Sequence, residues 1–184
     1  EHDGLRQKAL AQVDDAVTWI PKWGRDRIRG MLEGRPDWCI SRQRTWGVPI
    51  PAYRCPSCDE SHLVPEAMEM VAQLFERQGA NAWYTLPVEE LMPPGTTCPG
   101  CGGTAWEKTT DIVDVWFESG VSWAAVADGK LVPKGEKVDL YLEGADQHRG
   151  WFHSSLLTSV ASRGKAPYNG VLTHGWVLDE TGKA

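Results

Sequence analysis

Residues 138–174 read VDLYLEGADQHRGWFHSSLLTSVASRGKAPYNGVLTH. Val138, Leu140 and Leu142 alternate with polar or smaller neighbours and run into Glu143-Gly144, which predicts a strand ending in a turn. A helix is predicted from about Gln147 to Arg163, stopped by Gly164. Val171-Leu172-Thr173-His174 then predicts a second strand. Strand, helix and strand within about 40 residues make a βαβ unit, so the strands should be parallel and the crossover right-handed. Ligands on such α/β sheets bind beyond the carboxyl ends of the strands. Glu143-Gly144-Ala145-Asp146-Gln147-His148 and His174-Gly175 fall at those ends.

Upstream, Leu5, Ala9, Val13, Ala16, Val17 and Ile20 recur at helical spacing, predicting a helix over about 5–19 that stops near Pro21. Ile28, Met31 and Leu32 predict a second short helix closed by Gly34 and Pro36. Trp38-Cys39-Ile40-Ser41 reads as a short buried strand, with Cys39 as a small core residue, and Trp46–Pro51 reads as loop. A third helix is predicted from Pro65 to Gln78, with Pro in its first turn, Glu66 and Glu69 near its start and Gly79 after its end. Val64, Met68, Val71 and Phe75 form its apolar face, and Glu89-Glu90 reads as a solvated helical turn.

Five cysteines are present, four of them in Cys55-Pro-Ser-Cys58 and Cys98-Pro-Gly-Cys101. One CxxC turn points two thiolates at an ion, and two turns complete a tetrahedron around Zn²⁺. Four protein ligands leave no open position, so such a zinc is structural. Gly102-Gly103 follow the second pair, whereas Asp59 stands in the corresponding place after the first. A redox CxxC and a site without metal are the alternatives, and His62 is a possible stand-in ligand.

The chain has 184 residues, 41% hydrophobic and 24% charged, which is globular composition. Nineteen basic and 25 acidic residues leave a net charge of −6, which excludes a basic, sequence-blind nucleic-acid coat. Ten tryptophans against four tyrosines and three phenylalanines suggest rings that line a site as well as a core. No apolar run reaches the roughly 18 residues of a membrane span, and the start is not signal-like. The chain begins with Glu1 and ends in LDETGKA, so both ends read as cut from a longer protein.

Four stretches, DWCISRQRTWGVPIP (37–51), DVWFESG (114–120), LEGADQHRGWF (142–152) and VLTHGWVLDETGK (171–183), closely resemble the isoleucyl-tRNA synthetases of the bacterial type. The first is shared more loosely by the valyl and leucyl enzymes; the second and third are more specific. The resemblance implies the α/β second half of a Rossmann-like class I synthetase catalytic domain with a zinc-binding connective-peptide insertion. It divides the chain into a helical junction after the editing insertion (1–36), a core strand and loop (37–54), the zinc module (55–110) and the second half of the core (111–184). It implies a cytoplasmic, monomeric parent that takes L-isoleucine, ATP with Mg²⁺, and tRNA(Ile). The family's His-Ile-Gly-His motif would precede residue 1, and its Lys-Met-Ser-Lys-Ser loop would begin at Ala184. Without both, the isolated chain is expected to be inactive.

Adenylation is displacement at the α-phosphate by a carboxylate, in which the protein positions groups and stabilises charge. An amino acid needs an anion near its ammonium group and an apolar pocket for its side chain. The resemblance implies that Glu143, Gly144, Asp146 and Gln147 contact the aminoacyl-adenylate, with Glu143 the main binding carboxylate. Capping of the following helix, for which Asp146 is suited, is the simpler alternative. Trp116 and Trp151 are pocket candidates, or ordinary core rings. Such a pocket rejects valine incompletely, a limit for which isoleucyl enzymes are themselves the standard illustration. His174 is placed at adenine or ribose, His148 as an orienting or stacking group, and His153 as structural. Arg42, Arg44 and Arg149 are read as phosphate or tRNA contacts, or as surface salt bridges. The rival readings are a valyl or leucyl synthetase segment, a zinc-ribbon nucleic-acid module, for which 55–101 holds few basic residues, and a purely structural zinc protein.

Overall fold

The computed structural model describes residues 4–183; Ala184, set above at the start of a loop motif, lies outside them. The elements in order are α1 (Leu5–Asp15), β1 (Thr18–Ile20), α2 (Trp23–Glu33), β2 (Ser41–Arg42), β3 (Tyr53–Arg54), β4 (Ser61–His62), α3 (Pro65–Gln78), α4 (Ala82–Thr85), β5 (Glu107–Lys108), β6 (Ile112–Val113), α5 (Val115–Gly120), β7 (Val138–Gly144), α6 (Trp151–Arg163) and β8 (Tyr168–His174). They fall into two compact units, residues 1–39 with 115–184, and residues 40–114.

In the first unit, β7 and β8 pair in parallel with α6 between them, as the sequence predicts. β8 is central, because β1 pairs in parallel on its other side through Thr18–Gly170, Trp19–Val171 and Ile20–Leu172. The sequence reading missed β1. It extends the first helix to 19, whereas α1 ends at Asp15 and Thr18-Trp19-Ile20 leave it to bond with β8. Two β-branched residues flank that tryptophan, and the long-range ladder outweighs the local helical spacing.

Residues directly opposite each other on paired strands share a face of the sheet. Trp19, Val171 and Tyr141 form one buried row, over which α1, α2 and α6 lay Val13, Ile28, Leu32, Phe152, Leu156 and Val160. At about 25 cal/mol per Å² of apolar area, that layer is the main stabilisation of the unit. The opposite row is Ile20, Leu172 and Leu142, and on that face Ile20, Leu140 and Leu142 are exposed.

In the second unit, β4, β3 and β5 form an antiparallel sheet, and β2 pairs antiparallel with β6. The strand expected over 38–41 is reduced to Ser41–Arg42, and Cys39 is exposed rather than in a core. α3 has the bounds its sequence signals set: Pro65 in the first turn, Arg77 in the last and Gly79 at φ +79. Its inward face is largely the expected one, with Val64 buried and Phe75 packed against the core. Ala67 and Val71 are buried there too, and Met68, 36% exposed, lies at its edge. Tyr53, Trp83, Leu91 and Trp106 complete this core, with the Tyr53 hydroxyl donating to the Leu91 carbonyl.

Candidate functional site

At the carboxyl ends of β7 and β8, Gly144 pairs directly with His174, and Glu143 is one residue before it. Glu143 Oε2 stands 4.0 Å from His174 Nε2, and both side chains are partly open to solvent. His174 Nδ1 lies 2.6 Å from the Gly175 carbonyl, which assigns that nitrogen the proton and turns Nε2 towards Glu143. The Trp176 ring meets His174 edge-on at 5.6 Å. A Cβ on Gly144 would sit 2.5 Å from the Trp176 ring and 2.9 Å from Asp146 Oδ1, so the indole can approach only because residue 144 is glycine. Trp176 lies within the VLTHGWVLDETGK stretch and is not among the residues the sequence reading places in the site. Its sequence signal is an aromatic residue placed just past a strand end.

Asp146 and Gln147 lie in the short 3₁₀ turn Ala145–His148 that links β7 to α6. Gln147 Nε2 donates to Asp146 Oδ2 at 3.0 Å, and the Trp151 amide donates to Gln147 Oε1 at 2.9 Å. Gln147, not Asp146, therefore satisfies an otherwise orphan N–H at the start of α6. The capping alternative thus belongs to Gln147, and the Asp146 carboxylate stays exposed. Gly150 has a role like that of Gly144. A Cβ there would lie 2.5 Å from Gln147 Oε1 and 2.8 Å from the Trp116 ring. Trp116 is 45% exposed and projects from α5 into this neighbourhood.

Trp151 is held more firmly. Its ring stacks on Tyr141 with centroids 3.9 Å apart and planes 11° apart. Its indole N–H is shared between the Ser119 carbonyl and Ser122 Oγ, at 3.1 and 2.9 Å. One face of that indole is therefore already occupied by the core. His148 and His153 are buried. Burial pulls the His153 pKa down to about 4 and lowers that of His148. His148 Nδ1 faces the Ala145 carbonyl at 2.9 Å, with Trp19, Trp23 and Phe152 around the ring. After β8, the Asp179 carboxylate accepts from the Lys183 amide and from the amide and hydroxyl of Thr181, which hold its pKa low.

The second unit brings all four CxxC sulfurs together, within 4.8 Å of one another. Cys55 and Cys101 are 3.6 Å apart, as are Cys58 and Cys98. A tetrahedron with Zn–S bonds of about 2.3 Å has edges of about 3.8 Å, so the donor set fits zinc. All four are free thiols. The two turns are built alike. Cys55 N donates to Glu60 O and Asp59 N to Cys55 O; Cys98 N donates to Gly103 O and Gly102 N to Cys98 O. Asp59 and Gly102 occupy the same left-handed position, at φ +63 and +75. Burial opposes ionisation of Cys55, but the Ser57 and Cys58 amides outweigh it and pull its pKa down. His62 Nε2 lies 3.4 Å from Cys98 Sγ and 3.6 Å from Glu60 Oε2, so it abuts the four-sulfur set and does not replace a member. Of the arginines, Arg42 pairs with the buried Asp114, while Arg44 and Arg149 are exposed.

The family described as tRNA synthetases class I (I, L, M and V) matches residues 1–184. An isoleucine–tRNA ligase of Geobacter sulfurreducens is 58% identical over all of this chain and 20% of its own length. One from Thermotoga petrophila is 52% identical, with the same coverage. The chain thus spans about a fifth of the curated relatives it matches. Among solved structures, the ternary complex of Agrobacterium radiobacter K84 agnB2 LeuRS, tRNA and LeuAMS matches 81% of this chain and 21% of that one, with 20% identity and a TM-score of 0.49. Among the described residues no helix is long and apolar enough to cross a membrane.

Proposed function

The chain belongs to the class I tRNA synthetases of the I, L, M and V group, and from that membership we propose that it is the segment of an isoleucine–tRNA ligase that holds the aminoacyl-adenylate. The parent enzyme activates L-isoleucine with ATP and Mg²⁺ and transfers it to tRNA(Ile). The observation that carries the reading is the juxtaposition of Glu143, Gly144 and His174 at adjacent strand ends. It is supported by 58% identity to a protein named for that reaction.

In this reading Glu143 is the anion for the substrate ammonium group. An exposed carboxylate at a strand end contributes by charge and placement, and His174 beside it limits where that carboxylate can turn. Trp116 and Trp176 supply indole faces, and Gly144 and Gly150 leave the space those rings occupy. Trp151 offers at most the face not stacked on Tyr141. Asp146 and Gln147 shape the turn. Zinc held by Cys55, Cys58, Cys98 and Cys101 ties residues 53–108 into one module. Its four sulfurs leave no position for substrate, so it supplies stability and no chemistry. The 184 residues contain neither a His-Ile-Gly-His nor a Lys-Met-Ser-Lys-Ser sequence, so alone they should not exchange pyrophosphate with ATP.

The test is a non-hydrolysable isoleucyl-adenylate analogue titrated into the full-length parent and its Glu143→Gln variant. We expect at least about tenfold weaker binding by the variant, the size of one lost charge-assisted contact. Equal affinity in two well-folded proteins would remove Glu143 from the site.

A further inference from the structure

α5 and the start of α6 meet on two rungs. Trp116 and Gly120 are four residues apart in α5, so they share a face of that helix. Gly150 and Ser154 are matched in the same way, with the Ser154 amide donating to the Gly150 carbonyl at 2.9 Å. On the first rung the six-membered ring of Trp116 covers Gly150, where a Cβ would lie 2.8 Å from it. On the second rung Gly120 abuts Ser154. A Cβ on Gly120 would sit 3.0 Å from the carbonyl carbon and the Cβ of Ser154, and 3.1 Å from its carbonyl oxygen. Ser154 is buried, and its backbone atoms are fixed within a 13-residue helix. Gly120 is not among the glycines at positive φ, so the close approach, and not the backbone conformation, is what calls for glycine there.

The second rung is also clamped by hydrogen bonds. Thr158 Oγ1 donates to the Gly120 carbonyl at 2.6 Å and accepts from the Trp123 indole N–H at 3.1 Å. α5 has only six residues, less than two turns, so a push at Gly120 moves Trp116 with it. A methyl at residue 120 needs about 0.5–1 Å more room, the difference between 3.0 Å and an ordinary carbon contact. The Ser154 backbone holds, α5 gives way, and the Trp116 ring lifts off Gly150. We propose that Gly120 is a specificity-determining positioning residue: by letting α5 close onto α6, it sets how far the Trp116 ring reaches into the amino-acid pocket. The proposal rests on the reading that Trp116 is a wall of that pocket. Gly120 itself touches no substrate and acts through Trp116. An aliphatic side chain is held by short-range contact, and a gap of about 0.5–1 Å forfeits about a quarter to a half of that attraction. The methylene that separates isoleucine from valine is sensed by such contacts alone.

The experiment measures amino-acid-dependent exchange of pyrophosphate with ATP in the full-length parent, with active sites counted by the burst of adenylate. Gly120→Ala should raise KM for isoleucine about tenfold and narrow the preference for isoleucine over valine about threefold. KM for ATP and turnover per active site should stay as they are. Thr158→Val removes the clamp without adding bulk and should raise KM for isoleucine about threefold, and Thr158→Ser, which keeps the hydroxyl, should restore the parent value. Gly30→Ala is the control, since a Cβ there meets no atom within 4 Å, and should change nothing. An unchanged KM for isoleucine in a folded Gly120→Ala overturns the proposal. So does an equal rise in KM for ATP, or a loss confined to the number of active sites, which is what lower stability alone produces. If Gly120→Ala unfolds by circular dichroism, the Thr158 pair decides: equal KM for isoleucine in the two overturns the proposal. Trp116→Ala separates this proposal from the reading beneath it. A raised KM for isoleucine in Trp116→Ala with none in Gly120→Ala sinks only the role of Gly120. An unchanged KM in Trp116→Ala removes the wall, and the role of Gly120 with it.

Discussion

Trp151 lies flat on Tyr141, ring centroids 3.9 Å apart, at the point where α6 starts beneath the sheet. The sequence offers Trp151 either as a pocket wall or as a core ring. The stack, with the indole N–H shared between Ser119 and Ser122, makes it first a brace between β7, α5 and α6.

That brace sets a stability expectation. Trp151→Ala should lower unfolding free energy by about 3 kcal/mol, through lost burial and a cavity against Tyr141. Trp151→Phe keeps the stack, leaves the Ser119 carbonyl and Ser122 hydroxyl without their donor, and should cost about 1 kcal/mol. Urea denaturation of the three proteins measures both. Equal loss in the two variants would mean the indole N–H, not the stack, is what matters.

The four-sulfur set should hold one zinc per chain. Cys98→Ser should lose the ion and with it the ordered structure of residues 53–108, as read by metal analysis and hydrogen exchange. His62→Ala should keep the one-to-one ratio and weaken zinc about tenfold, the size of a supporting interaction outside the ligand set. A fall to substoichiometric zinc in His62→Ala would make the histidine a ligand.

Asp59 and Gly102 occupy equivalent left-handed positions in the two cysteine turns. Asp59→Val should destabilise the zinc-loaded protein by about 1–2 kcal/mol, because a β-branched residue is strained at positive φ. Asp59→Gly should leave the melting temperature nearly unchanged, the relieved strain offset by loss of the exposed Arg54 pair. A large drop for Asp59→Gly would show that the carboxylate, not the backbone, matters at this turn.

His153 has a pKa of about 4 in the folded protein, against about 6.5 for an ordinary histidine. The unfolded chain therefore binds more protons between those values. The stability this neutral ring contributes is complete above about pH 6.5 and falls away towards pH 4, by about 3 kcal/mol at most. His148 is shifted in the same direction and adds to the slope. His153→Gln should flatten the pH dependence of unfolding free energy across that window. An unchanged slope would show that His153 is protonated in the fold.

Much of the fold was legible in the chain itself. α3 is bounded by Pro65 and Gly79, and the β7–α6–β8 unit follows from a period-two stretch, a helical stretch and Gly164. The pairing of the four cysteines followed from two identical spacings. These are local signals, in which a backbone preference or a ligand turn is set within a few residues. The motifs also placed Glu143 and His174 at strand ends.

What the chain alone left undecided depends on partners distant in sequence. Thr18–Ile20 fits a helix by spacing and becomes a strand only because β8 offers a ladder. Cys39 has the composition of a buried strand and is exposed, since pairing starts only at Ser41. Trp176 reaches Gly144, Gln147 rather than Asp146 meets the α6 amide, and Gly120 meets Ser154 only once α5 lies against α6. Periodicity and spacing fix what each segment can be. Hydrogen bonding and burial between remote segments fix which possibility wins, because only there are the free energies large enough to override local preference.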